Sequence, residues 1–118
     1  MLYYPTPMQP ARLDINAQPN HNADLKIVRL DGKLALETVH NFVSTMRAES
    51  AKRLVLDMGG LSFLDSAGVG ALVQLFVHRR ATGKELALAA LTPQSDAVIQ
   101  VAGLKKLLPV FASVEEAH

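Results

Sequence analysis

The 118-residue chain contains no cysteine and no tryptophan. Without thiols it can form no disulfide, thiolate nucleophile or cysteine-ligated metal site, so its fold must rest on an apolar core. Neither sign of charge dominates. Twelve Lys and Arg against 11 Asp and Glu leave a formal charge of +1, which offers no footprint for nucleic acid or an acidic membrane. Long apolar runs are also missing. The longest, residues 69–77, is interrupted by Gly70 and Gln74 and falls well short of the roughly 18 residues a spanning helix needs. No membrane insertion is therefore expected. The start, Met1-Leu2-Tyr3-Tyr4-Pro5-Thr6-Pro7, lacks the charged opening and apolar block of a signal peptide. A cytoplasmic location is the resulting expectation.

What is present suits one globular domain: 49% hydrophobic and 19% charged residues, at a length that can bury a core unaided. Pro5, Pro7 and Pro10 mark residues 1–10 as a flexible N-terminal arm, and the domain is assigned to 11–118. Alternation over 12–16 predicts a first strand, followed by a turn at Pro19-Asn20-His21-Asn22. A second strand, 25–30, should stop at Asp31-Gly32. Apolar residues at 36, 39, 42, 43 and 46 predict a helix from about residue 34 or 36 to 49.

The run Arg53-Leu54-Val55-Leu56-Asp57-Met58 reads as a strand covered on both faces, with Gly59-Gly60 permitting a turn after it. A helix opening near Ser66 should bury Val69, Leu72, Val73, Phe76 and Val77, with Gly83 at its end. A strand follows at 85–89. Thr92-Pro93 reads as a cap and first helical position, Gly103 closes that helix, and Val110-Phe111 forms a last strand. The spacing Ser113-Val114-Glu115-Glu116 allows a final helical turn. The order β-β-α-β-α-β-α-β-(α) predicts an α/β fold, a small mixed sheet of four to five strands with helices packed against it.

Chemistry concentrates at Leu61-Ser62-Phe63-Leu64-Asp65-Ser66-Ala67-Gly68-Val69-Gly70, where a strand gives way to a helix. A helix N-terminus exposes unpaired N–H groups and partial positive charge. Asp65-Ser66 can therefore be a cap alone, or a place where a phosphate sits at low cost. Gly68 and Gly70 each cost the helix roughly 1 kcal/mol relative to alanine. They leave either a tight helix–sheet contact or an open surface for another backbone. On the spacing above, Val69, Leu72, Val73 and Phe76 already supply the apolar face, so the glycines are not needed for the core. Ser62 falls in the strand pattern and reads as structural.

Other polar residues point nowhere in particular. His21, His40, His78 and His118 are scattered without ligand spacing, so no metal or other cofactor is expected. Asp57 and Asp65 lack the substrate pocket and positioned acid or base of a hydrolase. Leu64 occupies the first glycine position of an esterase elbow around Ser66. Arg79-Arg80 and Lys105-Lys106 read as solvated helix ends. No enzymatic activity is expected.

The segments Val55-Leu56-Asp57-Met58 and residues 61–70 resemble the signature of the STAS domain family, specifically bacterial anti-sigma factor antagonists. The likeness extends over about residues 25–111 and includes Leu30-Asp31-Gly32-Lys33-Leu34, the helix start at Thr38 and Val101-Ala102-Gly103-Leu104. The resemblance implies a protein that binds an anti-sigma factor which is also a serine kinase, so releasing a sigma factor for transcription. The kinase would phosphorylate Ser66 and a serine phosphatase would restore it, a partner-switching cycle. It also implies a partner-binding surface of Asp65, Ser66, Ala67, Gly68, Gly70, Ala71 and Gln74, with the Gly32-Lys33-Leu34 loop beside it. Two positions depart from the family pattern: Ala35, where an aspartate is usual, and Ala67, where a second serine is common. The first departure keeps a second reading open, a non-catalytic STAS subunit of a stress-signalling scaffold or of a membrane lipid transporter.

Overall fold

A computed structural model describes residues 10–118, and the arm assigned to 1–10 lies outside the described residues except for Pro10. Five strands pair in the order β1-β2-β3-β4-β5. They are β1 (Leu13–Gln18), β2 (Leu25–Leu34), β3 (Arg53–Leu64), β4 (Glu85–Ala89) and β5 (Val110–Phe111). β1 runs antiparallel to β2, and every later pairing is parallel. The α/β architecture and the element order match the expectation from sequence.

Each parallel pair is joined through a helix: α1 (Val39–Arg47), α2 (Ser66–Ala81) and α3 (Pro93–Ala102). Strands in chain order with right-handed crossovers must place their helices on one face. One cluster accordingly joins Phe42 and Met46 of α1, Leu72 and Leu75 of α2 and Ile99 of α3 to Val28, Leu30, Leu54, Leu56, Met58 and Leu88 of the sheet. The opposite face carries a smaller cluster of Leu25, Ile27, Val55 and Ala89. Ala117 closes it from a short 3-10 turn, Glu115–Ala117. Coverage on both faces explains the near-continuous apolar run in β3. Among the described residues, no helix is long and apolar enough to cross a membrane.

Several expected boundaries move. β2 does not stop at Asp31-Gly32 but continues to Leu34, because Gly32 takes φ +116° and still pairs with Leu13 on one side and Leu61 on the other. The helix expected from residue 34 or 36 consequently begins only at Val39. Gly59-Gly60 forms no turn either. β3 runs through both glycines and uses one extra residue against β2 at two places, between Arg29 and Asp31 and between Gly32 and Lys33. Bulges of this kind bend and twist a strand without ending it. They carry β3 beyond its last pairing with β4 at Asp57, so that its end projects towards the start of α2.

The buried stripe of α2 also differs from expectation. It comprises Gly68, Ala71, Leu72, Leu75 and Arg79, while Val69, Val73 and Phe76 are half-buried and Val77 is 58% exposed. Arg79 is therefore no solvated helix end. It is 1% exposed and donates from Nε to the Glu85 carbonyl at 2.8 Å, from Nη1 to that of Glu49 at 3.3 Å, and from Nη2 to that of Ala51. Those bonds tie the end of α2 to the entry of β4 and to the α1–β3 connection. Burial holds its pKa below the ordinary arginine value, with the Glu49 charge opposing the shift.

Candidate functional site at the start of α2

Ser66 is the first residue of α2 and is exposed. The residue before it builds the site. Asp65 has the extended backbone of an N-cap, and its Oδ1 accepts from the Gly68 N–H at 2.8 Å. Its Oδ2 accepts from the Leu36 N–H at 3.2 Å, across from the β2–α1 turn. The Asp65 N–H donates to the Leu34 carbonyl at 3.4 Å. One half-buried carboxylate thus joins the helix start to a second segment of chain.

That second segment is itself pinned. Thr38 Oγ1 accepts from the Ala35 N–H at 3.0 Å and lies 2.8 Å from the Lys33 carbonyl, to which it donates. On the other flank, Gln94 of α3 pairs with the Leu64 backbone as a strand neighbour would. Its Oε1 accepts from the Leu64 N–H and its Nε2 donates to the Leu64 carbonyl, both at 2.9 Å. The last residue of β3 is thereby held on the side where β4 no longer reaches. No sequence signal marks Gln94, because its role depends on where α3 docks.

Of the residues assigned from sequence, Ser66, Gly70, Gln74 and Lys33 are exposed, and Asp65, Ala67 and Gly32 are half-buried. Ser66, Gly70 and Gln74 are spaced four apart and share one outward stripe of α2. Exposure fails at three positions. Leu34 is fully buried at the end of β2, so Gly32-Lys33-Leu34 is strand and not loop. Ala71 is 5% exposed and faces the core. Gly68 is buried because a β-carbon there would overlap the Leu34 carbonyl oxygen and stand 2.6 Å from Leu64 Cδ1.

The two glycines of α2 therefore divide. Gly68 serves close packing of helix on sheet, against the expectation that the apolar face needs no glycine. Gly70 has nothing within 4 Å of where its β-carbon would lie. It opens a groove of about 490 Å³ between α1 and α2, lined by Val43, Ser44, Arg47, Ala67, Gly70 and Gln74 among others. A second groove, about 420 Å³ and chiefly apolar, lies between α2 and α3, where Ser66 and Asp65 meet Val69, Val98 and Val101. Val101 is 90% exposed. Ser66 lines the second groove, and its neighbour Ala67 lines the first.

The two other aspartates of interest are occupied elsewhere. Arg29 Nε lies 3.1 Å from Asp31 Oδ1 and its Nη1 3.3 Å from Asp57 Oδ2. Asp31 and then Asp57 hold the Arg29 pKa above its ordinary value. Asp57 and Asp65 consequently do not form a pair. Ser62 is exposed, and its Oγ donates to the Gly32 carbonyl at 3.0 Å, a β2–β3 tie that agrees with a structural role.

The chain is similar to known proteins in sequence and in fold. The chain is 26% identical to an anti-sigma F factor antagonist of Paenibacillus polymyxa over 104 residues, 84% of this chain and 88% of the relative. The crystal structure of an anti-sigma factor antagonist from Mycobacterium paratuberculosis superposes with a TM-score of 0.78 at 20% identity, covering 90% of this chain and 91% of that one. The Bacillus cell fate determinant SpoIIAA in its phosphorylated form superposes with a TM-score of 0.62 at 26% identity, covering 88% and 96%. The profile of the STAS domain spans residues 14–117, nearly all of the described chain, and on that match the chain belongs to the STAS domain family.

Proposed function

We propose that this STAS domain is an anti-sigma factor antagonist, switched off by phosphorylation of Ser66. The carrying observation is the placement of that serine: exposed, first in a 16-residue helix and on the edge of the groove between α2 and α3. The names of the relatives support the reading, including one described in a phosphorylated form. The partner is an anti-sigma factor that is also a serine kinase, and a serine phosphatase reverses the mark. The antagonist works in the cytoplasm by contact, occupying the anti-sigma factor so that the sigma factor is released.

The chain contributes a hydroxyl and the partner contributes the chemistry. Ser66 Oγ attacks the γ-phosphorus of ATP held by the kinase, the bond to the β-phosphate oxygen breaks, and the hydroxyl proton passes to a base on the kinase. The product carries about −1.5 to −2 charges and three acceptor oxygens. Helix N–H groups and the positive end of the helix dipole accommodate that anion, so the domain stays folded. The added bulk and charge occupy the stripe on which a partner must rest. A loss of roughly 3 to 4 kcal/mol would weaken the complex several-hundredfold.

Incubation with the cognate kinase and ATP should place phosphate on Ser66 and none on Ser66→Ala. The Ser66→Asp variant should lose at least about a hundredfold in affinity for the anti-sigma factor, some 2.7 kcal/mol. Unchanged binding by Ser66→Asp, or phosphate on another residue, would overturn the reading.

A further inference from the structure

We propose that Asp65 is the positioning residue of this surface. Its second oxygen holds the β2–α1 turn so that Leu36 and Ser66 meet the anti-sigma factor as one rigid unit. This rests on the function proposed above. A helix cap needs only one carboxylate oxygen, and Oδ1 already meets that need through the Gly68 N–H. Oδ2 is spent on Leu36, 29 positions away in sequence.

The turn so held presents an apolar side chain to water. Leu36 is 71% exposed, and it lies between Ala35, which is 3% exposed, and the Thr38 hydroxyl that anchors the turn from the other end. An exposed leucine by itself is ordinary. This one is distinguished by its tether, since its own N–H is bonded to the residue that precedes the switch serine. Ser66 itself shares the second groove with Val69 and Val101, so apolar groups stand beside the serine there, and Leu36 is tied to the residue before it. A partner whose kinase site closes on Ser66 meets Leu36 at the same moment. Holding the turn in advance removes its ordering cost from the binding step.

The positions of the two oxygens separate capping from positioning. Asp65→Ser retains a cap through its hydroxyl but has no second acceptor for the Leu36 N–H. Asp65→Asn keeps one acceptor for Gly68 and turns a donor towards Leu36. Both variants should stay folded, with the Leu36 amide exchanging with solvent at least about tenfold faster in the free chain. Affinity for the anti-sigma factor should fall about tenfold in Asp65→Ser and about tenfold in Leu36→Ala. The double variant should lose little more than either one, because Asp65 acts through Leu36.

Normal Leu36 exchange in both Asp65 variants would overturn the proposal. So would Leu36→Ala binding within about twofold of the unaltered protein, or additive losses in the double variant. An unaltered chain that binds no anti-sigma factor would instead overturn the function proposed above. Tight binding with an indifferent Leu36 would sink this inference alone.

Discussion

At the N-terminal end of α2 the Ser66 hydroxyl faces water, whereas at its C-terminal end the Arg79 guanidinium is 1% exposed and bonded to three backbone carbonyls. The second end is committed to the fold. Its donors are consumed, and leaving those carbonyls unpaired would cost more than the bonds contribute when made. The first end keeps free N–H groups and a surface that can gain charge without unpacking anything. One helix thus joins a rigid lock to an adjustable face. On the function proposed above, the separation would let a phosphate alter binding while the core stays as it is. Both perturbed arginines, Arg79 with its pKa lowered by burial and Arg29 with its pKa raised by Asp31 and Asp57, stay protonated at neutral pH. Neither makes stability depend on pH near neutrality.

The contrast breaks most visibly at Arg79. Arg79→Ala should cost about 3 to 5 kcal/mol, since it leaves buried carbonyls unsatisfied and opens a cavity beside them. Urea unfolding followed by circular dichroism measures the loss, and a change below about 1 kcal/mol would show that the lock is no lock. Gly68→Ala comes next. Its methyl group gains roughly 1 kcal/mol of helix propensity and meets overlap costing up to about 3 kcal/mol against a backbone that cannot swing away, so a net loss of about 1 to 2 kcal/mol is expected.

Gly70→Ala sharpens the comparison, because the same change two residues on meets open space. It should stabilise the free domain by up to about 1 kcal/mol in the same unfolding assay. Any loss of affinity for the anti-sigma factor would then belong to the groove and not to the fold. Ser66→Asp should have the smallest effect on stability, within about 0.5 kcal/mol and favourable in sign, because a negative charge at the first helical turn suits the dipole. A large drop in its melting temperature would mean that charge at Ser66 acts by unfolding.

Much of this contrast was legible in the chain. Thr92-Pro93 and Gly103 bound α3 as their capping chemistry requires, and β4 lies where its five residues predict. Asp65-Ser66 marks the start of α2 for the same local reason. The stripe containing Arg79 was also present in the spacing, since residues 68, 72, 75 and 79 follow helical periodicity. It was obscured because arginine is almost never fully buried and valines at 69, 73 and 77 offered an apolar alternative. Burial on that side is decided by the small residues Gly68 and Ala71, which let the helix approach the sheet more closely than a valine face would.

The remaining features had no local signature. Gly32 ends strands by propensity, yet here two neighbours pair with it, and their hydrogen bonds override the preference. Gln94 and Leu36 acquire roles only when α3 and the β2–α1 turn arrive beside Leu64 and Asp65. Composition, capping residues and apolar periodicity are local properties, and they were enough to determine the class of fold, the order of its elements and the serine at the head of α2. Which side of that helix is buried, which glycine is filled and which carboxylate oxygen spans two segments depend on distances between residues far apart in sequence. Only the packed sheet and its helices set those distances.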